Sequence, residues 1–179
     1  MASKKYLADW ALEEQVNPAS GRIVRKAVYR GTWFAFAAAG EQLRRTKRCY
    51  AALALVCLAA YIGALCFNAP CAHIWYTMAP FALMAVPMYF LEAGLYRLLT
   101  AKERVTREHR DKLAPRYAGA SFALAVCAVL ALAGQAVYWL REGGTGLDAV
   151  FLAAAVILLC ASIWMFAHRK ALEMRACEG

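Results

Sequence analysis

The chain has 179 residues, of which 63% are apolar, and a formal net charge of +9. A soluble domain is about 45–50% apolar, so this composition excludes an ordinary soluble module and points to one membrane domain with a modest polar appendage. The basic excess does not imply nucleic acid, because base-stacking aromatics do not interleave with the cations of Arg104–Arg116.

Residues 3–16 read as a short amphipathic helix, with Ser3 as its cap and Tyr6, Leu7, Trp10 and Ala11 on one face. Residues 17–21, Asn-Pro-Ala-Ser-Gly, read as a turn. A second helical segment is expected from about Arg22 to Arg48. There Arg25, Lys26 and Arg30 accompany Val24, Val28, Trp33, Phe34 and Phe36. Such a mixture suits a helix lying in the head-group plane, or one packed under the membrane domain or on a partner.

Four apolar stretches follow: Cys49–Phe67, Ile74–Tyr96, Tyr117–Leu140 and Leu147–Ala167. At 1.5 Å rise per residue each covers a hydrocarbon core about 30 Å thick. Helices are the expected spanning form because they satisfy their own backbone polar groups. The first apolar run, Trp33–Ala39, is too short and too late in the chain for a secretory leader, and the first true span is expected to act as its own uncleaved insertion signal. It contains Ala59-x-x-x-Gly63 and Ala60-x-x-x-Ala64, small residues spaced to let helices approach closely. The second carries Pro80 and Pro87, which predict a bend. It is expected to continue as a polar helix through Lys102 to about Leu113, ending before Pro115. Trp75, Tyr76, Tyr96, Tyr138, Trp139 and Trp164 fall at span ends, as aromatic belts do. Gly143-Gly144-Thr145-Gly146 forms a tight turn between the last two spans.

The expected fold is therefore all-α: an integral-membrane bundle of four helices in two hairpins, preceded by an interfacial helical region. Its parts are residues 1–48, the membrane domain 49–170 and a tail 171–179. Ten Lys or Arg residues precede the first span, seven lie in the second connection and three in the tail, while the other two connections hold only Arg141. By the positive-inside rule both termini and the middle connection are cytoplasmic, in a plasma or inner membrane. Arg104, Arg107, Arg110 and Lys112 then form a basic cytoplasmic surface that attracts anionic lipid head groups.

Few residues invite chemistry. Glu92 stands about two turns inside the second span, where an ionisable group is costly and functional by default. It could bind a cation or relay a proton, or simply pair with Arg97, Lys102 or a neighbouring helix. Gln135 in the third span reads as an interhelical hydrogen-bonding residue. Of seven scattered cysteines, Cys66 and Cys71 flank the first short loop on the outer side, where a disulfide can form. Their spacing is C-x-x-x-x-C, not the C-x-x-C of quinone-linked thiol oxidoreductases. No His, Cys or carboxylate set has metal-ligand spacing, and no cofactor is implied.

Three functions remain. The favoured one is a non-enzymatic membrane subunit or accessory protein, acting through helix packing and a basic surface. The second is a homo-oligomeric transporter or channel using the Pro-bent span and Glu92. The third, a thiol-redox or lipid-modifying enzyme, lacks a recognisable catalytic set. Membrane lipids and a homo- or hetero-oligomeric partner are the expected company.

Overall fold

The structure is a computed structural model and describes residues 4–16, 23–67 and 69–177. Ser3, the turn at 17–21 and Asn68 lie outside the described residues. Its elements run β1 (Trp10–Val16), β2 (Ile23–Tyr29), β3 (Trp33–Phe36), α1 (Gly40–Cys66), α2 (Trp75–Leu83), α3 (Ala85–Thr100), β4 (Arg104–Val105), α4 (Arg107–Glu142), α5 (Gly146–Ala167) and β5 (Met174–Cys177). Four helical stretches, Gly40–Cys66, Trp75–Thr100, Arg107–Glu142 and Gly146–Ala167, are long and apolar enough to cross a membrane. The chain is a multi-pass membrane protein by this measure, mostly helical with a small sheet component.

The helices pack around α4, which touches α5, α3 and α2, while α1 lies outside against α5 and α3. Alanine and cysteine on α4 (Ala120, Cys127, Ala128, Ala131) are buried and let the neighbours come close. Phe81 and Phe151 meet at 4.3 Å between ring centroids, and Tyr61 stacks on Phe81 at 5.0 Å. On α1, Ala64 is buried, but a Cβ on Gly63 would meet nothing within 4 Å. So Ala60-x-x-x-Ala64 packs within the chain and Ala59-x-x-x-Gly63 does not.

The second span is broken where its prolines require it. The helix stops at Leu83 and restarts at Ala85, and Pro87 falls in the first turn of α3, where no backbone donor is needed. Pro80 lies inside α2 and leaves the Tyr76 carbonyl without its helical donor. That carbonyl faces Gly134 of α4, where an added Cβ would lie 2.5 Å from the Tyr76 oxygen. Only glycine permits this approach, and its Cα–H can meet the freed oxygen.

Three expectations are corrected. Residues 3–16 do not form an amphipathic helix: a 3-10 turn over Lys4–Asp9 leads into β1, which pairs antiparallel with β2 from Trp10↔Tyr29 to Val16↔Ile23. The segment 22–48 is not one helix either, for it holds β2, β3 and only then α1. Gly40, at φ +56°, makes the turn from strand to helix. The apolar and basic residues there fit a helical face, but cross-strand pairing satisfies the backbone and decides the outcome. Lastly, the second span does not run on to Leu113. It ends at Thr100, and the polar extension belongs to α4, which begins at Arg107 and passes through Pro115. The break between them exists because Val105, 5% exposed, is drawn into a strand beside β3.

Candidate functional site

β3 is the centre of a three-stranded antiparallel sheet in the order β4-β3-β5. Its strands come from the N-terminal region, the second connection and the C-terminal tail. The three cation-rich segments are thereby hydrogen-bonded into one cap on one end of the helices. Phe34 pairs with Val105 and Ala176, Ala35 with Arg104 and Arg175, and Phe36 with Met174. Phe34 and Phe36 alternate inward and are buried. Ala35 faces the other way, so Arg104 and Arg175 stand on either side of it. Two strand spacings separate them, about 10 Å.

The cap is tied to the helix ends. Lys47 Nζ donates to the Ala101 carbonyl at 2.7 Å and lies over the Phe36 ring. Tyr50 donates from its hydroxyl to the His168 carbonyl at 2.8 Å, joining α1 to the end of α5. His109 Nε2 lies 3.1 Å from the Arg97 carbonyl. The β1–β2 hairpin is anchored by the Arg107 amide, which donates to the Tyr29 hydroxyl at 3.0 Å, and by Tyr6, which donates to Asp111 at 3.2 Å.

The four basic residues singled out in the sequence do not share one environment. Lys112 pairs with Glu108, and Arg110 pairs with Asp111 at 3.0 Å while its guanidinium covers Phe34 at 4.3 Å. Arg107 contributes its amide as above. Arg104 and Arg107 are exposed and make no ion pair among the described residues, and of the two Arg104 lies in the sheet. Sequence reasoning missed its neighbour Arg175, because the pairing through Ala35 is non-local. It also passed over Arg44, Arg45 and Arg48, which with Glu41 and Gln42 line a cleft of about 480 Å³ on α1. These cations likewise make no ion pair among the described residues. The cap therefore carries uncompensated positive charge, able to attract phosphate or carboxylate groups.

Glu92 lies apart from the cap, within α3. Its Oε1 is enclosed and meets no hydrogen-bond donor among the described residues. No ion pair joins it to Arg97 or Lys102. Cys57 of α1 and Tyr117 of α4 are within electrostatic range, and the Tyr117 hydroxyl is directed to Met165 Sδ at 3.4 Å. Pro87 stands in the first turn of the same helix and Pro80 in the preceding one.

At the opposite end Gln135 joins a cluster that the sequence did not announce. Its centre is Asp148, fully buried in the first turn of α5. The carboxylate accepts from the Thr145 amide at 2.8 Å, the Thr145 hydroxyl at 2.7 Å and the Cys71 amide at 2.9 Å. Gln135 Nε2 donates to the Asp148 carbonyl at 3.1 Å, the interhelical bond expected of it, while its Oε1 is enclosed without a donor. The Thr77 hydroxyl shares its one proton between the Ile74 carbonyl, at 2.8 Å, and the Cys71 carbonyl. Thr145 and Asp148 together form a capping box, the one available signal in the sequence. Cys66 and Cys71 are both free thiols, Cys66 exposed and Cys71 buried. Burial, reinforced by the Asp148 side chain, pushes the Cys71 thiol up to about 12, which makes it a poor nucleophile.

Among the described residues no group of His, Cys, Asp or Glu is placed to hold a metal ion. No family model, no curated protein and no solved structure matches this chain.

Proposed function

We propose that this chain is a non-enzymatic membrane subunit or accessory protein, a bundle of two helical hairpins with both termini in the cytoplasm. It packs within the membrane and presents a basic cytoplasmic surface to an acidic partner or to anionic head groups. One observation carries the reading: Arg104 and Arg175, from distant parts of the chain, are set in register about a single alanine with no ion pair of their own. A surface assembled by long-range pairing and left electrostatically unsatisfied is suited to an external anion. The test is gentle extraction from the native membrane and measurement of the intact mass. A mass that requires a second polypeptide, lost when Arg104 and Arg175 are both changed to Glu, supports the reading. A simple multiple of the 19.7 kDa chain, unaffected by that change, counts against it.

A second reading, a homo-oligomeric small transporter or channel, is favoured by the enclosed and unpartnered Glu92 oxygen on the interrupted span. Glu92→Gln should then abolish or shift a pH-dependent flux in proteoliposomes. An unchanged flux removes Glu92 from any mechanism.

A further inference from the structure

A groove of about 350 Å³ runs between α3 and α4 on the outer face of the helices. Its walls are Val86, Pro87 and Phe90, its floor is Gly119, Ala120 and Ala123, and Pro115 and Arg116 close one end. It exists for two local reasons. The interruption at Met84 restarts α3 beside α4, and α4 lines the groove with the small residues Gly119, Ala120 and Ala123. A Cβ on Gly119 would meet nothing within 4 Å. Val86 and Phe90 are 54% and 43% exposed, so the walls lack a protein cover within the chain. Lipid tails fill any such depression loosely, and what makes this one selective is Arg116. It is exposed and makes no ion pair among the described residues. It precedes the apolar run Tyr117–Leu140 by one residue, at head-group level, and from there to Ala123 the helix rises about 10 Å.

We propose that this groove holds one acyl chain of an anionic phospholipid whose phosphate pairs with Arg116. The apolar floor takes the tail and the guanidinium takes the phosphate, which it can meet with two parallel hydrogen bonds. A second copy of the chain is the poorer occupant. An apolar helix laid on the groove would desolvate Arg116 without supplying an anion. The proposal rests only on the helices crossing a membrane. The accessory-subunit reading places its surface for a partner or head groups on the sheet cap, outside this groove, so Arg116→Gln tests the groove and the Arg104 and Arg175 changes test the cap.

The experiment is native mass spectrometry of the delipidated full-length protein in detergent, titrated with phosphatidylglycerol, phosphatidylcholine or inorganic phosphate. One phosphatidylglycerol per chain should bind about fivefold more tightly than phosphatidylcholine, the factor matching about 1 kcal/mol for one basic residue. Inorganic phosphate should not bind at these concentrations. Arg116→Gln should abolish the preference, and Gly119→Leu should remove the bound lipid by filling the groove. Gly119→Ala, whose methyl enters open space, keeps the fold and should weaken binding only partly. Arg44→Gln, on the separate cleft of α1, should leave the preference intact. Equal binding of both lipids overturns the proposal, as does a preference lost in Arg44→Gln but kept in Arg116→Gln. Dimers that bind no lipid and dissociate on Gly119→Leu would assign the groove to self-association instead.

Discussion

The two ends of the helices satisfy their polar groups in opposite ways. The loop end closes on itself: Asp148 gathers three donors from two segments, and Gln135 ties α4 to the same residue. The capped end spends its hydrogen bonds on joining distant segments and leaves Arg104, Arg175, Arg44, Arg45 and Arg48 without ion pairs among the described residues. A buried carboxylate with every donor supplied locks a structure. Exposed cations with no anion complete themselves only through something outside the chain. Stability should therefore be concentrated at the loop end and recognition at the cap.

The largest way to break this contrast is Asp148→Ala. It strands the Cys71 amide and uncaps the first turn of α5 in a buried setting, at a cost of about 2–5 kcal/mol. Thermal unfolding in detergent should show a drop of several degrees or more, with Asp148→Asn intermediate. A melting point equal to that of the parent would mean the cluster is not the lock.

Phe34→Ala should come next, at about 3 kcal/mol for a buried aromatic, but confined to the cap. Hydrogen exchange should rise over 104–105 and 174–177 and stay unchanged over α5. If α5 exchanged as fast, the two ends would be one cooperative unit.

Gly134→Ala should cost about 1–3 kcal/mol, because the added methyl would meet the Tyr76 carbonyl at 2.5 Å and backbone cannot yield as a side chain does. The same change at Gly119, inside a helix and with open space for the methyl, should be neutral or stabilise by up to about 1 kcal/mol, and the difference between the two melting points is the measurement.

The smallest effect on stability belongs to the thiols. At pH 8 maleimide should label exposed Cys66 and spare Cys71, since a thiol held near 12 is almost wholly protonated below that pH. Addition of denaturant should expose Cys71 to labelling. Rapid labelling of Cys71 in the folded protein would mean that the loop end opens.

How much could be read beforehand differs by element. The four apolar stretches were legible, and their C-terminal ends fall within four residues of the helix ends, although α1 and α4 begin nine and ten residues earlier than the stretches do; the bend was legible too, since Pro80 and Pro87 act on the turns beside them. The N-terminal strands were not, because Trp10, Tyr29, Trp33 and Phe34 satisfy a helical face and a strand face equally well. The start of α4 was misplaced for a related reason. Local propensity favoured an unbroken helix through Lys102, while the competing term was a two-residue pairing with β3, some seventy residues earlier. Glu92 and Gln135 were legible as polar residues among apolar ones. Asp148 was not, since it stands at a span boundary beside a glycine-rich turn and its burial depends on the Cys71 segment folding over it.

The sequence by itself determined that this is a membrane protein, how many helices can cross, where they bend and that its cations cluster in three segments. Apolarity, helix length and proline stereochemistry act over neighbouring residues, so a linear reading captures them. Only the tertiary structure decided that those three segments meet in one sheet, that Arg104 and Arg175 flank Ala35, that Gly134 faces Tyr76, and that Asp148 is buried under Cys71. Each of these depends on which distant backbone groups find one another, and hydrogen bonding between residues dozens of positions apart leaves no periodicity in the chain.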